Sequence, residues 1–256
     1  MKTMMLHCGA NEVDLETVNG INTPIGTASW QPVAHSYLIN KVRLGLENSG
    51  TKVANEVHSL THDGLRYFGL FQLANDVDKP YSTILGLRNS HDKKFPAGLV
   101  FGANVFVCDN LSFSGEVKLQ RRHTVNVFRD LPGVIARAIG SIGDHFRFQD
   151  LRFDAYQNVD ISEMEASHLI IKGFEVGACN VTDIRGILNQ WRSPNHDDFK
   201  PRNAWSLFNA FTEVGKGNLL SLPKKTQALH SLLDGRCGLT DRLLLTDFEE
   251  EVAIAV

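Results

Sequence analysis

Residues 81–124 are YSTILGLRNSHDKKFPAGLVFGANVFVCDNLSFSGEVKLQRRHT, and this stretch decides the fold. Two apolar runs rich in β-branched and aromatic side chains, Ser82–Leu87 and Gly98–Cys108, are joined by the polar segment Arg88–Lys94. A third such run, Leu111–Leu119, leads into RRHT at 121–124. Strands joined by short links pair antiparallel, because a parallel crossover needs a dozen residues or more. The stretch therefore predicts antiparallel hairpins.

Two further strand patterns precede this stretch. They are Thr51–Leu60 and Leu65–Leu73, and the turn signal His62-Asp63-Gly64 separates them. Before them, apolar residues recur at helical spacing after Pro32, which predicts a helix that stops at Asn48-Ser49-Gly50. Residues 1–30 have weak periodicity and predict a loosely ordered arm or an early edge strand.

Helical spacing replaces the alternating pattern beyond Asp130. Leu131-Pro132-Gly133 is expected to open the first helix of this part. Four more helices are predicted, at Ile161–Lys172 (with the capping box Ser162 and Glu165), Val181–Trp191, Ala204–Val214 and Thr226–Leu233.

A block of strands followed by a block of helices predicts an α+β fold. We expect a mostly antiparallel sheet of about five strands, preceded by one helix and followed by a block of helices. The predicted organisation is an N-terminal arm at 1–31, an α+β core domain at 32–215 and a C-terminal helical extension with an acidic tail at 216–256.

The composition is typical of a soluble globular protein: 43% of the 256 residues are hydrophobic and 21% are charged. No apolar run approaches the roughly 20 residues that span a bilayer, and the first residues lack the pattern of a secretory signal. We therefore expect a cytoplasmic protein without membrane contact. The four cysteines are far apart and form no CxxC pair, which favours free thiols: Cys8, Cys108, Cys179 and Cys237.

Basic residues concentrate in the middle of the chain although the net charge is −3. Their position beside strand ends and phenylalanines predicts contacts with phosphates and stacked bases. The alternative is that they are ordinary solvated loop charges. The predicted nucleic-acid contacts are Arg88, His91, Lys93, Lys94, Lys118, Arg121, Arg122 and His123.

No motif dictates a reaction. His58 and His62 would lie about 13 Å apart on an extended strand, too far to share a metal ion, and Ser90-His91-Asp92 are adjacent, which works against a catalytic triad. Phosphate-binding glycine loops and a GxSxG elbow are absent from the sequence. We therefore predict no catalytic residue, no metal and no cofactor, and favour a non-enzymatic protein.

Several segments together resemble a phage- and plasmid-associated family, domain of unknown function 932. The segments are Leu87–Asp92, Val107–Asn110 and Arg122–Thr124, with similar flanks at His62–Gly69 and Asn203–Thr212. The resemblance would span roughly residues 32–215. It implies a mobile-element protein in a bacterial cytoplasm and transfers no catalytic residues. The order of elements is also similar to that of phage single-strand annealing proteins.

The leading hypothesis is a non-enzymatic DNA-binding protein that prefers single strands and forms homo-oligomers during recombination or replication. An alternative is a counter-defence protein that binds a host protein through its polarised surface. A weaker alternative is a metal-dependent nuclease that uses His91, Asp92 and His123.

Overall fold

The structure is a computed structural model that describes residues 10–61, 63–74, 81–105, 110–113, 119–216 and 221–239. In these residues the chain forms one sheet of seven strands. The strands are β1 (Asn11–Val13), β2 (Val53–Leu60), β3 (Arg66–Leu73), β4 (Tyr81–Ser90), β5 (Ala97–Val105), β6 (Asn110–Phe113) and β7 (Leu119–Arg121).

Helices lie before β2 and after β7. They are α1 (Leu15–Asn19), α2 (His35–Asn48), α3 (Val127–Gly140), α4 (Ile142–Asn158), α5 (Glu163–Glu175), α6 (Ile184–Arg192), α7 (Ala204–Val214) and α8 (Leu222–Arg236). The predicted α+β class, with a mostly antiparallel sheet and a following block of helices, is confirmed. Across the described residues, none of these helices is long and apolar enough to cross a membrane.

Neighbouring strands of the sheet are also neighbours in sequence. The order is β1-β2-β3-β4-β5-β6, each pair is antiparallel, and β7 pairs with β5 as well. In the central register Phe68 lies opposite Arg88, and Arg88 lies opposite Gly98. This register fixes which face of the sheet each side chain of the basic stretch occupies.

The two faces of the sheet carry separate apolar clusters. Leu85 and Leu87 belong to the larger cluster, which also contains residues of α2 and α3. Ile84 points to the opposite face, where it packs with Leu70 and Leu222. Because successive side chains of a strand alternate between faces, Asn89 shares the α2 face and Arg88 the opposite one.

The chain divides into two compact units. One comprises Met1–Phe146 with Lys216–Pro223 and holds the sheet; the other comprises Arg147–Gly215 with Lys224–Val256 and is helical. Aromatic rings form the centre of the helical unit, where Phe153 lies 4.7 Å from Trp205 by ring centroids. This division does not test the domain limits predicted from the sequence, and they stay a prediction.

The structure changes three sequence-based expectations about element bounds. The third apolar run supplies two strands, β6 and β7, which both pair with β5. Helix α3 begins at Val127 and continues through Pro132; the buried stripe that includes Leu131 and Ile135 outweighs the single backbone hydrogen bond that a proline cannot make. Helix α2 begins at His35, three residues beyond Pro32.

Candidate nucleic-acid interface

The turn between β4 and β5 positions the first two candidate lysines. The Asp92 carboxylate orders this turn, because it accepts hydrogen bonds from the Ser90 hydroxyl at 3.0 Å and from the Lys94 backbone N–H at 3.1 Å. Arg66 Nε pairs with the same carboxylate at 2.7 Å. Lys93 has a φ of 63°, in the left-handed region that residues with a Cβ rarely adopt. The turn therefore presents Lys93 and Lys94 as exposed side chains.

Lys93 lies against Trp30, a residue of the loop before α2. Its Nζ is 4.6 Å from the centroid of the Trp30 ring, a cation–π distance. His123 stacks on the same indole, with ring centroids 6.4 Å apart and an interplanar angle of 19°. Exposed Arg122 is the neighbour of His123 in the chain. We call Trp30, Lys93, Lys94 and Arg122 the Trp30 rim.

Three side chains beneath the rim hold the backbone of Val33. The Val33 carbonyl accepts hydrogen bonds from Asn89 Nδ2 at 2.7 Å and from His91 Nε2 at 2.9 Å. The Val33 N–H donates to His123 Nδ1 at 3.4 Å. We call Asn89, His91 and His123 the Val33 clamp. The clamp ties the loop that carries Trp30 to the ends of β4 and β7.

His35, the first residue of α2, extends the clamp into the interior. Asn89 Nδ2 donates a second hydrogen bond to His35 Nδ1 at 2.9 Å, so the proton of the neutral ring is on Nε2, which lies 3.0 Å from the Gly64 carbonyl. The rings of His35 and His91 stack with centroids 3.9 Å apart and an angle of 7°. The relative exposures of His35, His91 and His123 are 2%, 4% and 6%. We call these three residues the histidine cluster.

Burial keeps the histidine cluster neutral. It lowers the pKa of His35 from 6.5 to about 3, aided by the nearby His91 and opposed by the hydrogen bond to Gly64. Burial, with a smaller contribution from His91, lowers the pKa of His123 to about 4. Burial also lowers the pKa of His91, although its bond to Val33 opposes this. At neutral pH the cluster therefore positions the rim without adding positive charge to it.

Three buried polar atoms of the clamp have no hydrogen-bond partner among the described residues: Asn89 Oδ1, His91 Nδ1 and His123 Nε2. The hydrogen bonds to Val33 make His91 Nδ1 an acceptor and His123 Nε2–H a donor.

The remaining predicted contacts lie in other surroundings. Arg121 pairs with Asp130 of α3 and also donates to Thr124 Oγ1 at 3.3 Å. Arg88 is half-buried on the opposite face of the sheet. Lys118 lies outside the described residues.

The structure thus brings only part of the predicted set together. Lys93, Lys94 and Arg122 are exposed in the rim, and no carboxylate pairs with them in the described part of the chain. His91 and His123 are buried in the clamp. Both histidines lie beneath the rim. Their direct contact with nucleic acid stays a prediction.

The residues considered above for a catalytic triad and for a metal site make other contacts. Ser90 donates to Asp92, whereas the ring of His91 bonds to Val33, so the three adjacent residues form no relay. Over the described ranges, no group of three or more His, Cys, Asp or Glu side chains has the geometry to hold a metal ion. His58 Nδ1 lies 2.8 Å from the Tyr67 hydroxyl, and His62 is outside the described residues.

Sequence reasoning did not single out Trp30, Val33, His35 or Asn89. One signal was available: Asn89 and His91 are two residues apart on a strand, on the same side as Leu85 and Leu87, so both should face the core. The contact with Val33, 56 residues away from Asn89, had no local signal.

No family model, no curated protein and no solved structure matches this chain. The resemblance to domain of unknown function 932 therefore stays a prediction.

Proposed function

We propose that the protein binds single-stranded nucleic acid through the Trp30 rim. The observation that carries this proposal is the contact of the exposed Lys93 ammonium with the half-buried Trp30 ring. Exposed Lys94 follows Lys93 in the chain, and exposed Arg122 precedes His123, whose ring stacks on Trp30. None of these three cations has a carboxylate partner in the described residues. Proteins that bind single strands without strict sequence preference combine cations that follow the phosphates with aromatic rings that stack on bases.

Each part of the rim has a separate role in this proposal. Lys93, Lys94 and Arg122 neutralise successive phosphates. Trp30 offers its indole to a base when the Lys93 ammonium moves from the ring to a phosphate. The Val33 clamp keeps the loop in place, so less conformational entropy is lost on binding than with a free loop.

The biological setting is also part of the proposal. The resemblance supports a phage- or plasmid-encoded protein that acts in recombination or replication, without catalysis of its own. Assembly of several copies along a strand would add the rims of neighbouring subunits into one continuous binding path.

Salt dependence tests the phosphate contacts. A labelled oligothymidylate is titrated by fluorescence anisotropy at a series of salt concentrations, with a duplex of equal length for comparison. The combined variant Lys93→Gln, Lys94→Gln, Arg122→Gln should reduce the slope of log K against log salt by about 2, since each phosphate contact on a single strand contributes about 0.7. The matched control, Arg185→Gln with Lys224→Gln, removes two exposed cations of the helical unit and should keep the slope.

Tryptophan fluorescence tests the stacking contact. Trp191 and Trp205 are 1% and 5% exposed, so quenching by bound bases should come from Trp30. We expect oligothymidylate to quench the wild type, and Trp30→Ala to abolish the quenching while weakening binding by about 1–3 kcal/mol. The proposal fails if the wild type does not bind at low salt, or if the triple rim variant binds as well as the wild type does.

A further inference from the structure

Arg88 lies in a groove on the sheet face opposite the Val33 clamp. The groove is lined by Pro223 and by apolar or small residues of β3, β4 and β5: Phe68, Gly69, Leu70, Gly86, Leu87, Gly98, Leu99 and Val100. Arg88 is the only charged residue in this lining. The groove is thus a mostly apolar surface with a single cation.

The Arg88 side chain is held in place by an aromatic ring and by a glycine. Its guanidinium carbon is 5.4 Å from the centroid of Phe95, and the Phe95 ring packs on Phe68 at 5.5 Å. A Cβ at Gly98 would lie 3.0 Å from Arg88 Nε and 3.2 Å from its Cγ. Glycine at position 98 thus leaves Arg88 room that a Cβ would reduce by a few tenths of an ångström.

Nothing anionic compensates the charge of Arg88 in the described part of the chain. No carboxylate and no hydrogen-bond acceptor there pairs with its guanidinium. Burial lowers the pKa of Arg88. A half-buried, unpaired charge is unfavourable by itself, whereas guanidinium groups bind carboxylates and phosphates in a bidentate geometry.

We infer that this groove binds a small organic anion with a carboxylate or phosphate head and a short apolar body. The head pairs with Arg88, and the body packs on Leu70, Val100 and Pro223. The inference goes beyond nucleic-acid binding, because it concerns a different face of the sheet and none of the residues of the Trp30 rim.

Isothermal titration of the full chain tests this inference with octanoate as the probe. Inorganic phosphate supplies the head alone and octanol the body alone. We expect saturable octanoate binding that is tighter than either partial probe, and a loss of at least about tenfold in Arg88→Gln. The matched control Arg185→Gln removes an exposed cation of the helical unit and should bind octanoate as the wild type does.

Gly98→Ala provides a second variant that keeps the charge. The added Cβ crowds Arg88 and shifts its side chain by a few tenths of an ångström, so octanoate binding should weaken, by less than in Arg88→Gln, although the guanidinium is still present. Circular dichroism confirms that each variant is folded. Equal octanoate affinity in the wild type and Arg88→Gln, or no octanoate binding by the wild type at millimolar concentration, overturns the inference.

Thymidine monophosphate distinguishes two sources of the same chemistry. If thymidine monophosphate binds more tightly than octanoate, and Arg88→Gln abolishes its binding, the ligand is a nucleotide. If octanoate binds more tightly, the ligand is an aliphatic acid. Either result supports the site. The affinity for oligothymidylate should be unchanged in Arg88→Gln. The two proposals can therefore fail separately: octanoate binding tests the groove, and oligothymidylate binding tests the Trp30 rim.

Discussion

Acidification to about pH 5 should destabilise the protein through the histidine cluster. His35 and His123 fold as neutral rings whose Nδ1 atoms accept hydrogen bonds, from Asn89 and from the Val33 backbone respectively. A proton on either Nδ1 removes the acceptor and places a charge in a buried site. Protonation therefore favours the unfolded chain.

The magnitude follows from the lowered pKa values. The pKa is about 3 for folded His35 and about 4 for folded His123, against 6.5 for the unfolded side chain. Stability from these groups is complete above the unfolded pKa and is lost as the pH falls from 6.5 through the folded values. A pH of 5 is about 1.5 units below the pKa of each unfolded ring. Protonation of the ring therefore stabilises the unfolded state by about 2 kcal/mol per histidine. The two rings together cost about 4 kcal/mol, a large part of the 5–15 kcal/mol typical of a folded domain.

Urea unfolding at about pH 7.5 and pH 5 measures this loss. Few carboxylates titrate in that interval, since their ordinary pKa values are near 4. His123→Asn is the informative variant, because an asparagine Oδ1 can take the place of Nδ1 as acceptor for the Val33 N–H but does not titrate. We expect it to reduce the pH-dependent loss by the contribution of one ring, about 2 kcal/mol.

His168→Gln serves as the matched control, since His168 is an exposed histidine of α5. It should leave the pH dependence unchanged. The free energy of unfolding at each pH is obtained from the midpoint and the slope of the urea transition. The role of the histidine cluster is refuted if the wild-type values at pH 5 and pH 7.5 agree within about 0.5 kcal/mol. It is refuted equally if His123→Asn loses as much stability as the wild type.

Three further predictions concern sites away from the rim. Gly69→Ala should destabilise the protein by about 1–3 kcal/mol in urea, because its Cβ would overlap the buried Tyr67 hydroxyl; an unchanged midpoint would contradict this. Asp234→Asn should cost about 3–5 kcal/mol by the same measurement, because it leaves the buried Arg152 guanidinium, now 2.8 Å from Asp234 Oδ2, without its counter-ion; a loss below about 1 kcal/mol would argue against it. Burial raises the pKa of the Cys179 thiol to about 11, so peptide mapping after iodoacetamide treatment at pH 7.5 should find Cys179 unmodified in the native protein and modified in urea.

The strand and helix pattern could be predicted from the sequence where one periodicity continues without interruption. The run 204–214 has a clear start and a stop at Gly215, and α7 has those bounds. Ser162 and Glu165 form the predicted capping box of α5. Bounds were less predictable where two effects compete. Pro132 suggests a helix start, but the buried stripe of α3 continues on both sides of it.

The candidate site was less predictable, because it is made by contacts between distant segments. His91 and Val33 are 58 residues apart in the chain, and so local periodicity carries no information about their hydrogen bond. The hairpin predicted from the two strand runs did place Lys93 and Lys94 in the turn between β4 and β5. It did not indicate that Arg121 would pair with Asp130 of the following helix.

The division of the basic stretch follows from where β4 ends. Up to Ser90 each side chain is assigned to a face by alternation, so Asn89 must share the interior face of Leu87 and Arg88 must lie on the other face. His91 continues the interior row. Beyond it the backbone turns, and Lys93 in its left-handed conformation is no longer bound by the period of the strand. Arg88, within the strand, is therefore separated from Trp30 by the sheet, whereas Lys93, beyond the end of the strand, reaches the Trp30 ring.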